Sequence, residues 1–289
     1  MPRNGTWRRN LSRENRTDIG EWRRRATSAS LVGMETHENA VTHPHDGPTA
    51  SPVRVLVHGA NGRMGQALLR LAAERPDLFQ VVGAISRKVG QRVIDGIPQF
   101  AANELGGTPE ADVVVDFSLP EAFDPLLAFC ASHGRPLVSG TTGLSAEQVA
   151  ALDAAAARIP VLWASNFSLG VAVLVDLVER AARALPGWDC DIVEQHHVRR
   201  LDAPSGTALT LGEAAARAGA EARYASLRAG DIVGEHTVQF ATMGERIELV
   251  HRATNRDIFA RGALHAAAWL ARQAPGRHRL ADMLAGGAS

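Results

Sequence analysis

Between Ile192 and Ala208 the chain reads IVEQHHVRRLDAPSGTA, two adjacent histidines and two adjacent arginines followed by a turn of small residues. An imidazole has an unperturbed pKa of about 6.5, so His196 or His197 can supply a proton near neutral pH. Arg199 and Arg200 add fixed positive charge. Asp202, Pro204, Ser205 and Thr207 are helix-start residues ahead of a helix-compatible run at Leu209, Leu211, Ala214 and Ala215, which predicts a helix opening near Ser205. The first N–H groups of a helix lack internal partners and lie at the positive end of its dipole, and a turn without bulky side chains, at Ser205, Gly206 and Thr207, lets a carboxylate or phosphate reach them. The combination suits a small anion that also exchanges a proton. The alternatives are an ordinary helix cap, a hydrogen-bonded core histidine or a metal ligand. Metal is disfavoured, because two arginines follow the histidines, Cys130 and Cys190 form no CxxC, and no cluster has ligand spacing. In an alternating strand over Asp191 to Val198 the two histidines point to opposite faces, so at most one donates a proton directly.

A second constellation lies upstream. Pro52 to His58 is a β-rich apolar run, and the following GANGRMG places Gly59, Gly62 and Gly65 ahead of Leu68, Leu69 and Ala72 at helical spacing. Strand, glycine turn and helix in that order let a pyrophosphate lie against backbone N–H groups at the helix N-terminus. Gln80 to Ile85 is the next predicted strand, followed by Ser86, Arg87 and Lys88. An acid at this place holds the 2′-OH of NAD and a basic residue the 2′-phosphate of NADP; with Arg and Lys and no acid, NADPH is the expected donor over NADH.

The elements that must position these groups alternate as strands and helices from Pro52 onward, as in a parallel α/β sheet. Ala111 to Phe117, Pro136 to Ser139 and Val161 to Ala164 are strands that run into small polar residues: Ser118, then Gly140, Thr141, Thr142 and Gly143, then Ser165, Asn166, Phe167 and Ser168. Ligands on open parallel sheets bind beyond the carboxyl ends of the strands, so these loops are expected to line the nicotinamide and ribose. After Gly170 the pattern changes to a helix over Val171 to Leu185, the strand at Asp191, the helix after Ser205, and long β-rich runs from Tyr224 to Thr242 and Glu245 to Ala253. An antiparallel or mixed sheet with covering helices fits this order. A final helix over Gly262 to Arg272 is expected to pack back on the first domain. The predicted fold is thus α/β, with an N-terminal Rossmann-type parallel sheet domain over 52–168, joined by 257–289, and a C-terminal α+β substrate-binding and oligomerisation domain over 169–256.

Of 289 residues, 45% are hydrophobic and the formal net charge is zero, which describes a soluble globular protein without a polybasic surface for nucleic acid. No apolar run reaches the roughly 18 residues of a membrane span and no signal-peptide pattern is present, so a cytoplasmic location is expected, in keeping with two unpaired cysteines. Residues 1–33 hold eight arginines against three acids with little apolar periodicity, and 1–51 is expected to be a disordered extension, with Met34 a second candidate start. Lys88 is the single lysine of the chain.

The glycine turn GANGRMG, the loops DFS, GTTG and SNFSLGV, the EQHHVRRLDAPSGTA segment and RAGDIVGEHTVQF at 228–240 together resemble the 4-hydroxy-tetrahydrodipicolinate reductase (dihydrodipicolinate reductase) family, in order over nearly all of Pro52 to Leu284. The resemblance implies hydride delivery from NADPH or NADH to an unsaturated ring carrying two carboxylates, with loss of water, on the way to diaminopimelate and lysine, in a homotetramer. It implies that Gly59, Ala60, Asn61, Gly62, Arg63 and Met64 hold the pyrophosphate and Arg87 the 2′-phosphate. Gly140, Thr141 and Thr142 with Ala164, Ser165, Asn166 and Phe167 would border the nicotinamide. His196 would be the proton donor, His197 a substrate contact, and Ser205, Gly206 and Thr207 the carboxylate site. The family pattern has a lysine where this chain has Arg200, and a guanidinium binds carboxylate but is a poor acid. Two alternatives follow: a reductase of a related cyclic-imine dicarboxylate, or an NADPH-binding paralogue impaired in turnover at Arg200.

Overall fold

The computed structural model describes residues 51–286; the expected disordered extension and the second start at Met34 fall, Ser51 apart, outside the described residues. The first layer is a sheet built from β1 (Val53–His58), β2 (Phe79–Ser86), β3 (Val93–Ile94), β4 (Ile97–Ala101), β5 (Val113–Asp116), β6 (Leu137–Ser139), β7 (Pro160–Trp163) and β12 (Gly276–His278), in the order β12-β7-β6-β5-β1-β2-β4-β3. Its pairings are parallel except for the short β3–β4 edge. β1 is central and buried on both faces, so apolar residues follow one another without alternation. Val53, Val55 and Val57 pack on one side with Leu68, Leu71 and Ala72 of α1 (Arg63–Ala73) and with Ala263, Ala266, Ala267 and Leu270 of α6 (Asp257–Leu270). Leu56 faces the opposite side, with Leu126 and Leu127 of α2 (Phe123–Ser132) and Leu152 of α3 (Ala146–Ala155). α6 begins five residues before the Gly262 that apolar periodicity marked, because Asp257 and Ile258 form its first turn.

The second sheet has the order β11-β10-β8-β9, from β8 (Asp189–His196), β9 (Ala222–Arg228), β10 (Gly234–Thr242) and β11 (Glu245–Ala253). It is mixed: β8 runs parallel to β9 and antiparallel to β10. The run from Tyr224 to Thr242 is not one strand, since Ala229 to Val233 breaks it into β9 and β10. Cys190, Ile192, Val238 and Phe240 meet Leu174 and Val178 of α4 (Leu169–Ala184) and Leu211, Ala214 and Ala215 of α5 (Gly206–Arg217) in a separate core. The alternate residues of these strands face away from α4 and α5, and on that side Leu227 and Val250 are 52% and 40% exposed. Among the described residues no helix is long and apolar enough to cross a membrane.

Candidate active site

The glycine turn follows β1 as the sequence predicts, and sterics explain its composition. Gly59 has φ +78°, and a Cβ there would lie 2.4 Å from the Phe117 carbonyl oxygen; one on Gly65 would lie 2.4 Å from that of Gly59. The turn also uses up part of its own donors: Gly59 and Ala60 N–H both donate to the Ile85 carbonyl at 3.0 Å, and Gly62 N–H to Gly59 at 2.9 Å. Three N–H groups of the run from Gly59 are thus taken up within the protein, whereas the first N–H groups of α1, at Arg63 and Met64, have no partner inside the helix. Ser86 belongs to the end of β2, one residue beyond the predicted strand. Its Oγ is buried with no hydrogen-bond partner, while Arg87 beside it is exposed. An unpartnered buried hydroxyl costs on the order of 1–3 kcal/mol, and a ribose hydroxyl would supply the missing partner.

The strand-end loops are tied together by Asp116. Its carboxylate accepts from His58 Nδ1 (2.7 Å), Ser139 Oγ (2.8 Å), Thr141 Oγ1 (2.8 Å) and Ser118 N–H (3.1 Å), with both His58 and Asp116 buried. Burial opposes its charge, but His58 and these donors hold its pKa below the ordinary value. Gly140 packs under Phe117, whose ring a Cβ would strike at 2.1 Å. Phe167 is in the core, its ring 5.4 Å from that of Phe117, and Thr142 and Ser165 are exposed.

A cavity of about 440 Å³ lies between the two sheets, bordered by Arg63, Met64, Ala67 and Asn166 on the first-sheet side. His196, His197, Arg200, Asp202 and Thr207 border the other side, with His236, His251 and Arg256. Of the sequence-predicted residues, it thus brings together Arg63, Met64, Asn166, His196, His197, Arg200 and Thr207. Gly59 to Gly62, Arg87, Gly140 to Thr142, Ala164, Ser165, Phe167 and Gly206 do not border this cavity. Asn166 Nδ2 donates to Thr207 Oγ1 at 3.0 Å, a direct link between the loop after β7 and the start of α5.

Ser205 caps α5, accepting from Ala208 N–H at 3.2 Å, as the helix-start residues predict. Its side chain is fully buried and its hydroxyl lies 3.1 Å from His236 Nε2, so it meets the cavity through that ring and not directly. The prediction that the two histidines face opposite ways does not hold. β8 ends at His196, so strand alternation stops there and both rings border the cavity. Strand alternation does place Glu194 on the His196 face, and the Glu194 carboxylate accepts a short hydrogen bond from His196 Nδ1. Arg228 clamps the same carboxylate with two bonds of 3.0 and 2.8 Å. Burial opposes ionisation of Glu194, but Arg228, with Ser226 and His196, holds its pKa down to about 2. For His196, burial lowers the pKa, Glu194 raises it and the nearby Arg200 lowers it, with a net shift downward. Arg200 forms a bidentate pair with Asp202 at 2.9 and 2.6 Å. His197 Nε2 lies 3.0 Å from Arg256 Nη2; arginine only donates, so His197 accepts there and carries its proton on Nδ1. Among the described residues no group of histidine, cysteine and acid side chains could hold a metal ion.

His236 sets an expectation for acid stability. Burial holds its pKa down to about 4, against 6.5 for an ordinary histidine. The unfolded chain therefore takes up a proton first as pH falls, so the stabilisation is complete above 6.5 and is lost on acidification towards 4. Chemical denaturation at pH 7.5 and pH 4.5, in about that range, should show a clear loss at the lower pH that is reduced in His236→Asn.

Glu194, Arg228, His236, His251 and Arg256 were not singled out from sequence. Only Glu194 had a readable signal, the two-residue spacing to His196; Arg228, His236 and His251 arrive by pairing of distant strands and Arg256 from the start of α6.

A parallel sheet with a glycine turn at its central strand, facing a mixed sheet across a cationic and imidazole-lined cavity, defines a two-domain nucleotide-dependent oxidoreductase. Residues 53–167 match the family described as dihydrodipicolinate reductase, N-terminus, and 170–284 match dihydrodipicolinate reductase, C-terminus. The 4-hydroxy-tetrahydrodipicolinate reductase of Stenotrophomonas maltophilia (strain K279a) is 69% identical over 235 residues, covering 81% of this chain and 98% of the relative. That of Xanthomonas campestris pv. campestris (strain B100) is 67% identical over 237 residues, covering 82% and 99%. A dipicolinate-bound dihydrodipicolinate reductase from Paenisporosarcina sp. TG-14 shares the fold with a TM-score of 0.67 at 21% identity, covering 79% of this chain and 97% of that one. The chain belongs to the dihydrodipicolinate reductase family.

Proposed function

We propose that this chain reduces 4-hydroxy-tetrahydrodipicolinate to tetrahydrodipicolinate in diaminopimelate and lysine biosynthesis, with NADPH preferred over NADH. The observation that carries this reading is the cavity in which His196, backed by the Glu194–Arg228 pair, stands with Arg200 and the N-terminus of α5. In the net reaction one substrate, one NADPH and one proton give the product, NADP⁺ and one water. NADPH supplies the hydride when bound, and the orphaned Ser86 Oγ, the exposed Arg87 and the open N-terminus of α1 fit its ribose, 2′-phosphate and pyrophosphate.

The chain's own residues bind, orient and move the proton. The ionised Glu194 accepts from His196 Nδ1–H, so a proton taken up by the ring sits on Nε2, from which it can be transferred. Arg200, always charged, attracts a carboxylate but does not donate a proton, so proton delivery rests on His196. The N–H groups of Gly206 and Thr207 receive one carboxylate at the start of α5. Arg256 holds the His197 ring in place through Nε2. The partly apolar sheet face carrying Leu227 and Val250 supports assembly as a homotetramer, and the reading as a biosynthetic enzyme supports a cytoplasmic location.

Cofactor preference is tested by steady-state kinetics with NADPH and NADH on the same substrate. NADPH is expected to give the higher kcat/KM, and Arg87→Ala to cut the NADPH preference by about tenfold with little change for NADH. A higher rate with NADH in the wild-type protein contradicts the role given to Arg87.

A further inference from the structure

The order of the first sheet reverses between β1 and β5: from β1 the chain moves outward to β2 and β4, then returns to β5 on the other side of β1, followed by β6 and β7. Ligands of open parallel sheets bind in the crevice that such a reversal leaves beyond the carboxyl ends of the strands. His58 and Asp116 are the last residues of β1 and β5 and stand opposite each other in the register. They are 3% and 0% exposed. Asp116 in turn stands opposite Ser139, the last residue of β6. No step of the proposed reaction uses this buried ionisable pair.

Stability does not account for the pair, since apolar residues of similar volume usually serve a protein interior as well as a buried ionisable pair or better. What distinguishes it is where its bonds go. An ionised carboxylate only accepts, so His58 donates through Nδ1 to Asp116 Oδ1 at 2.7 Å. The Ser118 N–H donates to the same oxygen at 3.1 Å, and the hydroxyls of Ser139 and Thr141 donate to the other, each at 2.8 Å. The Thr141 carbonyl is held from the far side by Trp163 Nε1 at 2.8 Å. The His58 carbonyl accepts from Phe117 N–H at 3.1 Å, and the Phe117 carbonyl is the atom that closes on Gly59. The glycine turn, the loop at Phe117 and Ser118 and the loop at Gly140 to Thr142 therefore share one buried anchor. Burial opposes the charge on Asp116, and His58 heads the donors that offset it. Without that donor the carboxyl group tends to keep a proton, which turns one of its acceptor oxygens into a donor and releases a loop.

We propose that His58 is a positioning residue for hydride transfer: by keeping Asp116 an acceptor on both oxygens, it fixes the two loops against the glycine turn, and so fixes the nicotinamide end of the dinucleotide relative to its phosphates. This rests on the dinucleotide-dependent reading given above and adds to it a residue that acts through Asp116. A displacement of about 1 Å at a reacting centre can cost about a hundredfold in rate, so the anchor acts on kcat and on the nicotinamide more than on the rest of the nucleotide.

The test uses full-length protein as wild type, His58→Leu, His58→Gln, which keeps an N–H donor, and the double variant His58→Leu/Asp116→Asn, which removes the buried charge together with its partner. Thermal melting, kcat, the primary isotope effect with NADPH deuterated at the transferred position, and calorimetric Kd values for NADPH and for 2′-phospho-ADP-ribose, the same nucleotide without its nicotinamide, are measured on each. His58→Leu is expected to lower kcat by about ten- to a hundredfold and to raise the isotope effect. The Kd of NADPH should rise by about three- to tenfold while that of 2′-phospho-ADP-ribose stays as it is. His58→Gln should fall between His58→Leu and the wild type. The double variant should regain the melting temperature lost in His58→Leu but not the kcat, and it carries the comparison if His58→Leu does not fold. Recovery of kcat together with melting temperature in the double variant, or equal weakening of the two nucleotides, overturns the positioning role by leaving the pair a structural one. Wild-type kcat and isotope effect in folded His58→Leu overturn it as well. Wild-type protein that binds neither nucleotide, or binds both without turnover, overturns the reductase reading itself, and the role of His58 with it.

Discussion

His196→Gln is expected to lower kcat by about 10²- to 10⁴-fold, the usual cost of losing a general acid, while leaving NADPH binding within about twofold. Glutamine keeps polarity and approximate size but carries no transferable proton, so the loss belongs in kcat more than in KM. The pH profile carries the same signature. His196 titrates below the ordinary 6.5, chiefly because it is buried, so its protonated fraction grows as pH falls through neutrality. In the wild type kcat/KM should therefore rise on acidification, with its inflection below 6.5, and this limb should vanish in His196→Gln. Stopped assays across the pH range, with NADPH affinity measured separately, check both parts. A variant with wild-type kcat would assign the proton elsewhere.

Arg200→Met should have the next largest effect, of a different kind. With the guanidinium proposed to receive a carboxylate removed, dicarboxylate binding is expected to weaken by about ten- to a hundredfold. It also removes one of the charges that lower the His196 pKa, so the inflection in kcat/KM should move to higher pH. Arg200→Lys keeps the charge and should leave the inflection in place, with kcat changed by less than about tenfold. A much larger gain with lysine would mean that this position, rather than His196, limits proton delivery. The pair with Asp202 gives the arginine a fixed starting place: the bidentate bond holds the guanidinium at the cavity wall.

Local pattern made much of this site readable from the chain. The glycine turn, the strand ends and the Ser205 cap depend on residues close in sequence, and each lies within a few residues of its expected place. Departures arise where distant segments meet. The two histidines were expected on opposite faces because the strand was drawn to Val198; it stops at His196, where Ala229 N–H bonds its carbonyl and the chain turns away. The Gly59 and Ala60 N–H groups are taken by Ile85 of the neighbouring strand, a pairing that no motif announces. His236 and His251 meet the cavity only because β10 lies between β8 and β11. Arg228, which fixes the charge on Glu194, comes from β9 on the other side of β8. Arg200, the departure from the family pattern, is thus one part of a charge arrangement whose other members, Glu194, Arg228 and His236, are set by sheet order.

Turnover of a cyclic dicarboxylate with NADPH in this cavity is tested by NADPH oxidation by the purified protein in the presence of the coupled synthase that generates 4-hydroxy-tetrahydrodipicolinate. Oxidation should depend on the substrate and match tetrahydrodipicolinate formed mole for mole. Protein that binds both NADPH and pyridine-2,6-dicarboxylate yet oxidises no NADPH in that assay would contradict it, and would describe a nucleotide-binding member of the family without turnover.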